Sequence, residues 1–271
     1  MIRKYLQKIY LALIFILLYA PIVTLIVLSF NQSKTRAKWG GFTLKWYKEL
    51  LKNEQIMSAF YTTLIIAFVS AAIATVIGTA AAIAIQGMKQ KWKTMYMGLT
   101  NIPMMNPDIV TGVSLMLLFV FIGRFIGTRN SLSFATILIA HITFNLPYVI
   151  LNVLPKLAQT DRHLSEAALD LGATETQAFF KVVLPAISPG ILSGFLMAFT
   201  LSIDDFVISY YTTGADFVTL PLKIYAMTKK TVKPDMYALS TIIFVTVLML
   251  LVCINLMQFK AEKKSHRAPH K

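Results

Sequence analysis

Three carboxylates stand where carboxylates are rare. Asp108, Asp204 and Asp205 lie inside long apolar runs, whereas the other acids fall between such runs. An ionised carboxylate at the centre of a bilayer costs about 3 kcal/mol or more unless it is paired or hydrated, so all three must face a protein interior or a watery cavity. No Lys or Arg lies deep in the same runs. The neutralising cation therefore has to come from another subunit or from a solute, and the chemistry on offer is the guidance of a cation.

Asp204 and Asp205 are consecutive, about 100° apart on a continuous helix. One is expected to face a central path while the other bonds a neighbouring helix. Tyr148, Phe206, Tyr210, Tyr211 and Tyr225 lie near these acids in sequence, and aromatic faces attract cations. Aromatics at span ends also anchor helices at the membrane interface, so each has two roles open to it. His141 either lines the path or bonds a neighbouring helix.

Catalytic constellations are missing. None of the 12 glycines is followed by Lys, so no G-K-[ST] loop cradles a phosphate and no cofactor is expected on this chain. The single cysteine, Cys253, excludes an internal disulfide, and it forms no zinc spacing with His141, His163, His266 and His270. The Asp204–Asp205 pair lacks a G-x-G-D context, and adjacent residues do not face each other across a scissile bond. An enzyme is discounted.

The elements that position these residues follow from composition. Of 271 residues, 56% are hydrophobic and 14% charged, and the mean hydropathy is +0.66. That is too apolar for a solvated domain of this size and marks a polytopic, all-α membrane protein. The net charge of +14 would suggest nucleic acid in a soluble chain, but here the basic residues fall between apolar runs, where they meet anionic lipid headgroups. Six stretches reach the length of about 20 apolar residues that a bilayer requires: 9–30, 58–86, 95–123, 131–154, 187–209 and 236–259, within a single domain 1–271. The first is too long for a signal core and has no A-x-A cleavage site, so it remains a span. The third is too long for one straight crossing and holds Pro103 and Pro107, so a kink or a short interfacial piece before the span proper is expected. Six spans put both termini on one side. Lys and Arg divide almost evenly between the two sides, so the positive-inside rule alone barely orients the chain.

The longest segment on the termini's side, within 155–185, predicts two short helices and a sharp turn. Asp161 can cap the first, whose Leu164, Ala167, Ala168 and Leu171 share one face. Gly172 supplies the left-handed residue that ends it. Thr174 and Gln177 form a capping-box pattern that opens a second helix, with Ala178, Phe179, Val182 and Val183 as its apolar face before Pro185. Such an elbow can lie on lipid. It can also dock a partner, with Ala167 and Ala168 admitting close approach and Glu166 and Asp170 offering charge.

Glu166, Ala167 and Ala168, then Gly172, then Val182, Leu184 and Pro185 resemble the signature of permease subunits of ATP-binding-cassette importers, with Val182 where that pattern usually has Ile. The likeness extends through LSFNQS, GFTLKWY, MMNPDIV, AHITFNLPYV, LSIDDFVISYYTTG and LPLKIYAM, and points to the polyamine (spermidine/putrescine) branch. The resemblance implies a type I importer (MetI-like) fold and a bacterial inner-membrane location with cytoplasmic termini. It also implies alternating-access transport, with the elbow as the coupling helix. The implied partners are a second permease, two copies of a cytoplasmic ATPase that uses ATP and Mg, and an extracytoplasmic polyamine-binding protein. Gly190 and Gly194, four apart, are expected to support packing against the other permease. The competing readings are an importer permease for another small solute, and a stand-alone ion-coupled cation carrier or channel that would need no ATPase.

Overall fold

The computed structural model describes residues 2–34, 38–128, 131–161, 163–215, 217–229 and 234–265. His266 and His270 lie outside them, and of Cys253 only the backbone is described. Among the described residues the secondary structure is helical, apart from one isolated bridge between Asn31 and Phe42. The chain divides into two compact units, Met1–Ser58 with Ile224–Lys271, and Ala59–Lys223.

In the first unit, α1 (Ile2–Ser29) packs along α12 (Pro234–Ser265), and α12 also meets α2 (Lys45–Leu51). The most apolar stretch of α1 has no buried residue, so this helix presents its surface to lipid or to another subunit. The loop after α1 is organised by Asn31. Its Oδ1 accepts from the N–H groups of Ser33 and Gly40, its Nδ2 donates to the Lys38 carbonyl, and its own carbonyl accepts from the indole N–H of buried Trp46. Phe30 stacks on Phe42 at 5.2 Å. These bonds join the LSFNQS and GFTLKWY segments into one folded piece.

The second unit begins within α3 (Glu54–Gly87) and continues through α4 (Gln90–Met105), α5 (Asp108–Ile126) and α6 (Phe134–Gln159). It then runs through the elbow into α9 (Leu184–Asp204), α10 (Val207–Thr212) and the start of α11 (Leu220–Thr228). Its core lies between α3, α6 and α9, where Ala71, Ala74, Val149, Val153, Ile187 and Ala198 are buried together. Small residues set the spacing. A Cβ on Gly78 would stand 2.7 Å from Val149 Cγ1, and one on Gly194 would stand 3.3 Å from Val149 Cα, so both α3 and α9 close onto one valine of α6. The Gly190/Gly194 pair therefore faces α6 of its own chain, which corrects the expectation that it packs against another permease. Within α9, Pro189 lacks the N–H that would reach the Pro185 carbonyl, and Ser188 Oγ donates there instead at 2.8 Å.

Five helical stretches are long and apolar enough to cross a membrane, one each at α1, α3, α5, α6 and Glu175–Asp204. The sixth expected span falls in α12, where Pro234–Met249 is apolar but shorter. Of the two forms expected for the third span, the chain takes a separate piece ahead of the longer helix and not a kink. The two helices, α4 and α5, are parted at Asn106 and Pro107, because Pro107 has no N–H for the ladder and holds Asn106 extended at ψ 135°.

Candidate functional site

The expected fifth span ends early, at the acids. α9 stops at Asp204, Asp205 is extended with ψ 122°, and a new helix, α10, begins at Val207. Asp205 explains the break. Its Oδ1 accepts from the N–H of Ile208 at 3.2 Å and its Oδ2 from the N–H of Ser209 at 2.7 Å, so the carboxylate caps the first turn of α10. The two acids are thus not neighbours on one helix, which corrects the 100° expectation. Only 8% of the Asp205 side chain is exposed, and its oxygens are already engaged. Asp204 is exposed as the last residue of α9, where the helix dipole is negative and a carboxylate is disfavoured. No Lys or Arg among the described residues forms an ion pair with it.

A buried polar cluster lies behind the break. His141 Nδ1 is 2.9 Å from Ser202 Oγ, and its Nε2 is 3.1 Å from Ser209 Oγ and 3.5 Å from Asp205 Oδ2. Asn145 Nδ2 donates to Ser202 Oγ at 2.9 Å, and Ser70 Oγ is 3.0 Å from the same oxygen. Asn145 Oδ1 is buried with no partner among the described residues. Of this cluster the sequence singled out His141 and Asp205 alone. A signal for the rest was present: Ser202, Asp205 and Ser209 recur at i, i+3 and i+7, and His141 and Asn145 at i and i+4, two polar stripes on apolar helices.

Asp108 opens α5 as an exposed residue in its first turn, where the dipole favours an anion. Tyr148 lies on α6, where its ring is 5.4 Å from that of Phe144. One turn on from Asp108, Gly112 lets α10 approach α5: a Cβ there would stand 3.0 Å from Tyr211 Cδ2. Tyr211 meets Tyr210 edge-on at 5.2 Å, and Tyr210, 52% exposed, lies 5.7 Å from Phe206. The aromatic candidates after the acids therefore form one run. Tyr225 belongs to the other unit, where Lys229 Nζ sits 4.5 Å from its ring centroid.

The elbow forms as its residue types dictate. Asp161 Oδ1 accepts from the His163 N–H at the start of α7 (His163–Asp170). Gly172 takes φ +85°, with bonds from Ala173 N–H to the Ala168 carbonyl and from Gly172 N–H to the Leu169 carbonyl, the Schellman pattern. Thr174 and Gln177 bond reciprocally at the head of α8 (Glu175–Ala178). A π-helical turn, Phe179–Val183, then joins α8 to α9; the sequence reading missed it. The apolar stripe of α7 is not uniform. Ala168 is buried within the elbow, while Ala167, Asp170 and Leu171, the last 90% exposed, remain on its surface. Of the expected Ala167/Ala168 pair, Ala167 alone is therefore on the elbow's surface. Leu184 packs on the core cluster, and Pro185 stands exposed in the first turn of α9, where its missing N–H costs nothing.

Several apolar spanning helices, an elbow ahead of the penultimate of them and a broken helix bearing acids define a polytopic membrane protein of the transport class. The chain belongs to the family described as the inner membrane component of binding-protein-dependent transport systems, which it matches over residues 74–264. It is 40% identical over 256 residues to the spermidine/putrescine transport system permease protein PotC of Escherichia coli K12, covering 94% of this chain and 95% of that one. It is 38% identical over 266 residues to the protein of the same description in Haemophilus influenzae, covering 98% and 100%. The putrescine transport system permease protein PotI of E. coli K12 is 40% identical over 230 residues, covering 84% and 82%. Among solved structures, a bacterial alginate ABC transporter in complex with its oligosaccharide-bound periplasmic protein matches with TM-score 0.72 at 17% identity, covering 94% of each chain. The inward-facing MetNI methionine transporter matches with TM-score 0.61 at 18% identity, covering 81% of this chain and 99% of that one. These two show that the chain shares the fold of chains in ABC transporters.

Proposed function

We propose that this chain is the permease subunit that carries polyamines across the bacterial inner membrane, with both termini cytoplasmic. Its partners are a second permease, two copies of an ATPase that consumes ATP and Mg in place of any cofactor on this chain, and an extracytoplasmic polyamine-binding protein. The observation that carries the cation assignment is Asp204: an exposed carboxylate, without a cationic partner among the described residues, at the negative end of a helix broken beside it. A polyamine ammonium satisfies both the charge and the dipole. Asp108 supplies a second anionic point on the path and Tyr148 an aromatic one, and the Tyr210 and Tyr211 rings give the methylene stems and ammonium groups faces to pass. Asp205 takes a structural part, since its oxygens already cap α10. The names of the 38–40% identical relatives supply the solute class.

The elbow, through Glu166, Ala167, Asp170 and Leu171, is the surface that meets the ATPase, held in place by Gly172, Leu184 and Pro185. Co-expression with the ATPase and the second permease, followed by uptake of labelled spermidine and putrescine into proteoliposomes, tests the assignment. ATP-dependent polyamine uptake is the expected result. Transport that proceeds without the ATPase would favour the stand-alone carrier, and uptake of some other solute alone would remove the polyamine assignment. Single cysteines at Ser33 and Ser265 in a Cys253→Ala background should label from opposite sides with an impermeant reagent, Ser265→Cys only after permeabilisation.

A further inference from the structure

His141 spans the break. Its Nδ1 bonds Ser202, two residues before the end of α9, and its Nε2 bonds Ser209, in the first turn of α10. One ring on α6 thus holds a hydroxyl on each side of the two non-helical residues, Asp205 and Phe206. The ring is 1% exposed, and both serines are buried. Nε2 carries a hydrogen, because a lone pair there would face the Asp205 carboxylate 3.5 Å away. That hydrogen is directed at Ser209 Oγ, the nearer acceptor. Asn145 and Ser70, by contrast, bond Ser202 on the α9 side and each other, and none of these bonds is to α10.

We infer that His141 is a positioning residue: a staple that fixes the angle between α9 and α10 and so holds the Asp204 carboxylate open while Asp205 is turned inward. Of the hydrogen bonds among the described residues, those of His141 are the ones that tie one side chain to both sides of the break. Asp205 caps α10, and α10 is packed on α5 and α6 through buried Ile208 and a bond from Thr136 Oγ1 to the Thr212 carbonyl, but these hold α10 alone. The ring restrains both ends at once, and its rigid plane keeps the two hydroxyls a fixed distance apart.

The part of this inference that concerns solute rests on Asp204 being a cation-guiding residue; the staple itself does not. The test is amide hydrogen exchange of the assembled transporter in nanodiscs, read together with uptake kinetics. His141→Phe keeps a ring and removes both bonds, while Ser209→Ala removes only the far one and guards against a His141 variant that fails to fold. Each should speed exchange in α10 by about 3- to 10-fold, the loss of one or two buried hydrogen bonds, and the double variant should go no further than His141→Phe alone. Asn145→Ala, which removes a contact on the α9 side only, should leave α10 at the parent rate. Exchange in α10 at the parent rate in folded His141→Phe and Ser209→Ala proteins would overturn the staple, and so would equal loosening by Asn145→Ala. If α10 loosens as expected and KM for labelled spermidine rises several-fold with kcat little changed, both the staple and the Asp204 assignment stand. Loosening with an unchanged KM keeps the staple and removes the Asp204 assignment.

Discussion

The elbow within 155–185 and the break at 204–206 both interrupt a helical run, and they are held by opposite means. Every bond that shapes the elbow joins residues two to five apart: Asp161 with His163, Ala168 with Ala173, Thr174 with Gln177. Most of its groups are exposed. The break has one local device, the Asp205 cap, and is otherwise held by buried bonds between residues 61, 68 and 132 apart in sequence. A locally coded turn can move as a rigid body on a partner and keep its shape. A turn coded from a distance keeps its shape only while α3, α6 and α9 stay packed, so it can respond to their motion.

The largest effect that would sharpen this contrast lies at the break. Asp204→Asn preserves shape and removes charge, and should lower apparent polyamine transport efficiency by about 5- to 150-fold, the loss of one charge contact with the solute of about 1–3 kcal/mol. Asp205→Asn should act differently, through loss of a charged cap, and show reduced assembly or thermal stability before any change in affinity. Equal behaviour of the two variants in uptake and in stability assays would dissolve the distinction between an open and a capped acid.

Next in size is Gly172→Val. A Cβ at Gly172 meets no atom within 4 Å, so the whole effect is backbone strain at φ +85°, about 1–2 kcal/mol or somewhat more for a β-branched side chain. That should leave the spans intact and uncouple ATP hydrolysis from uptake, with transport falling roughly tenfold at constant expression. Unchanged uptake in a well-expressed variant would mean that the elbow's turn is not the coupling element.

The same contrast explains what could be read from the sequence. Gly172 and the Thr174/Gln177 box were legible because capping chemistry is local and each residue type has one reason to be there. The long apolar helices were legible because lipid demands such runs, and five of them among the described residues are long and apolar enough to cross a membrane. The failure at 187–209 was of another kind: hydropathy runs smoothly through LSIDDFVISYY, and nothing local says that Asp205 prefers the N–H groups ahead of it to a place on the helix. His141, Asn145, Ser70 and Ser202 lie on three helices and meet only when these pack. The Gly190/Gly194 pair was recognised as a close-packing motif but given the wrong partner, since a G-x-x-x-G pattern carries no information about which helix lies against it.

A smaller effect is expected at Thr174. Thr174→Ala removes the side-chain acceptor for the Gln177 N–H and should destabilise α8 by about 1 kcal/mol. Faster exchange confined to α8 and the π-helical turn would confirm that the elbow carries its own fold. Loosening that spreads into α9 would show instead that the two regions are less separate than their hydrogen bonds suggest.

The smallest effect is a pH dependence at the head of the elbow. His163 Nδ1 lies 2.8 Å from Glu166 Oε2, both side chains exposed, and this hydrogen bond, with the charges of Glu166 and Asp161, raises the imidazole above its ordinary value of 6.5. Because the folded value is the higher one, the contact favours the folded first turn of α7 fully below about pH 6.5. The contribution is lost as pH rises through the raised folded value, so α7 should fray more readily on the alkaline side. Glu166→Gln removes the charge and should return the histidine toward 6.5 and flatten the dependence, as followed by the imidazole proton shifts in a labelled sample. Raising the salt concentration should shrink the effect in the parent protein, since an exposed pair is screened. The His141 contacts, buried behind the break, should not respond to salt over the same range. A salt response at both histidines would place the break in contact with bulk solvent and remove the physical basis for treating it as the distantly coded partner of a local elbow.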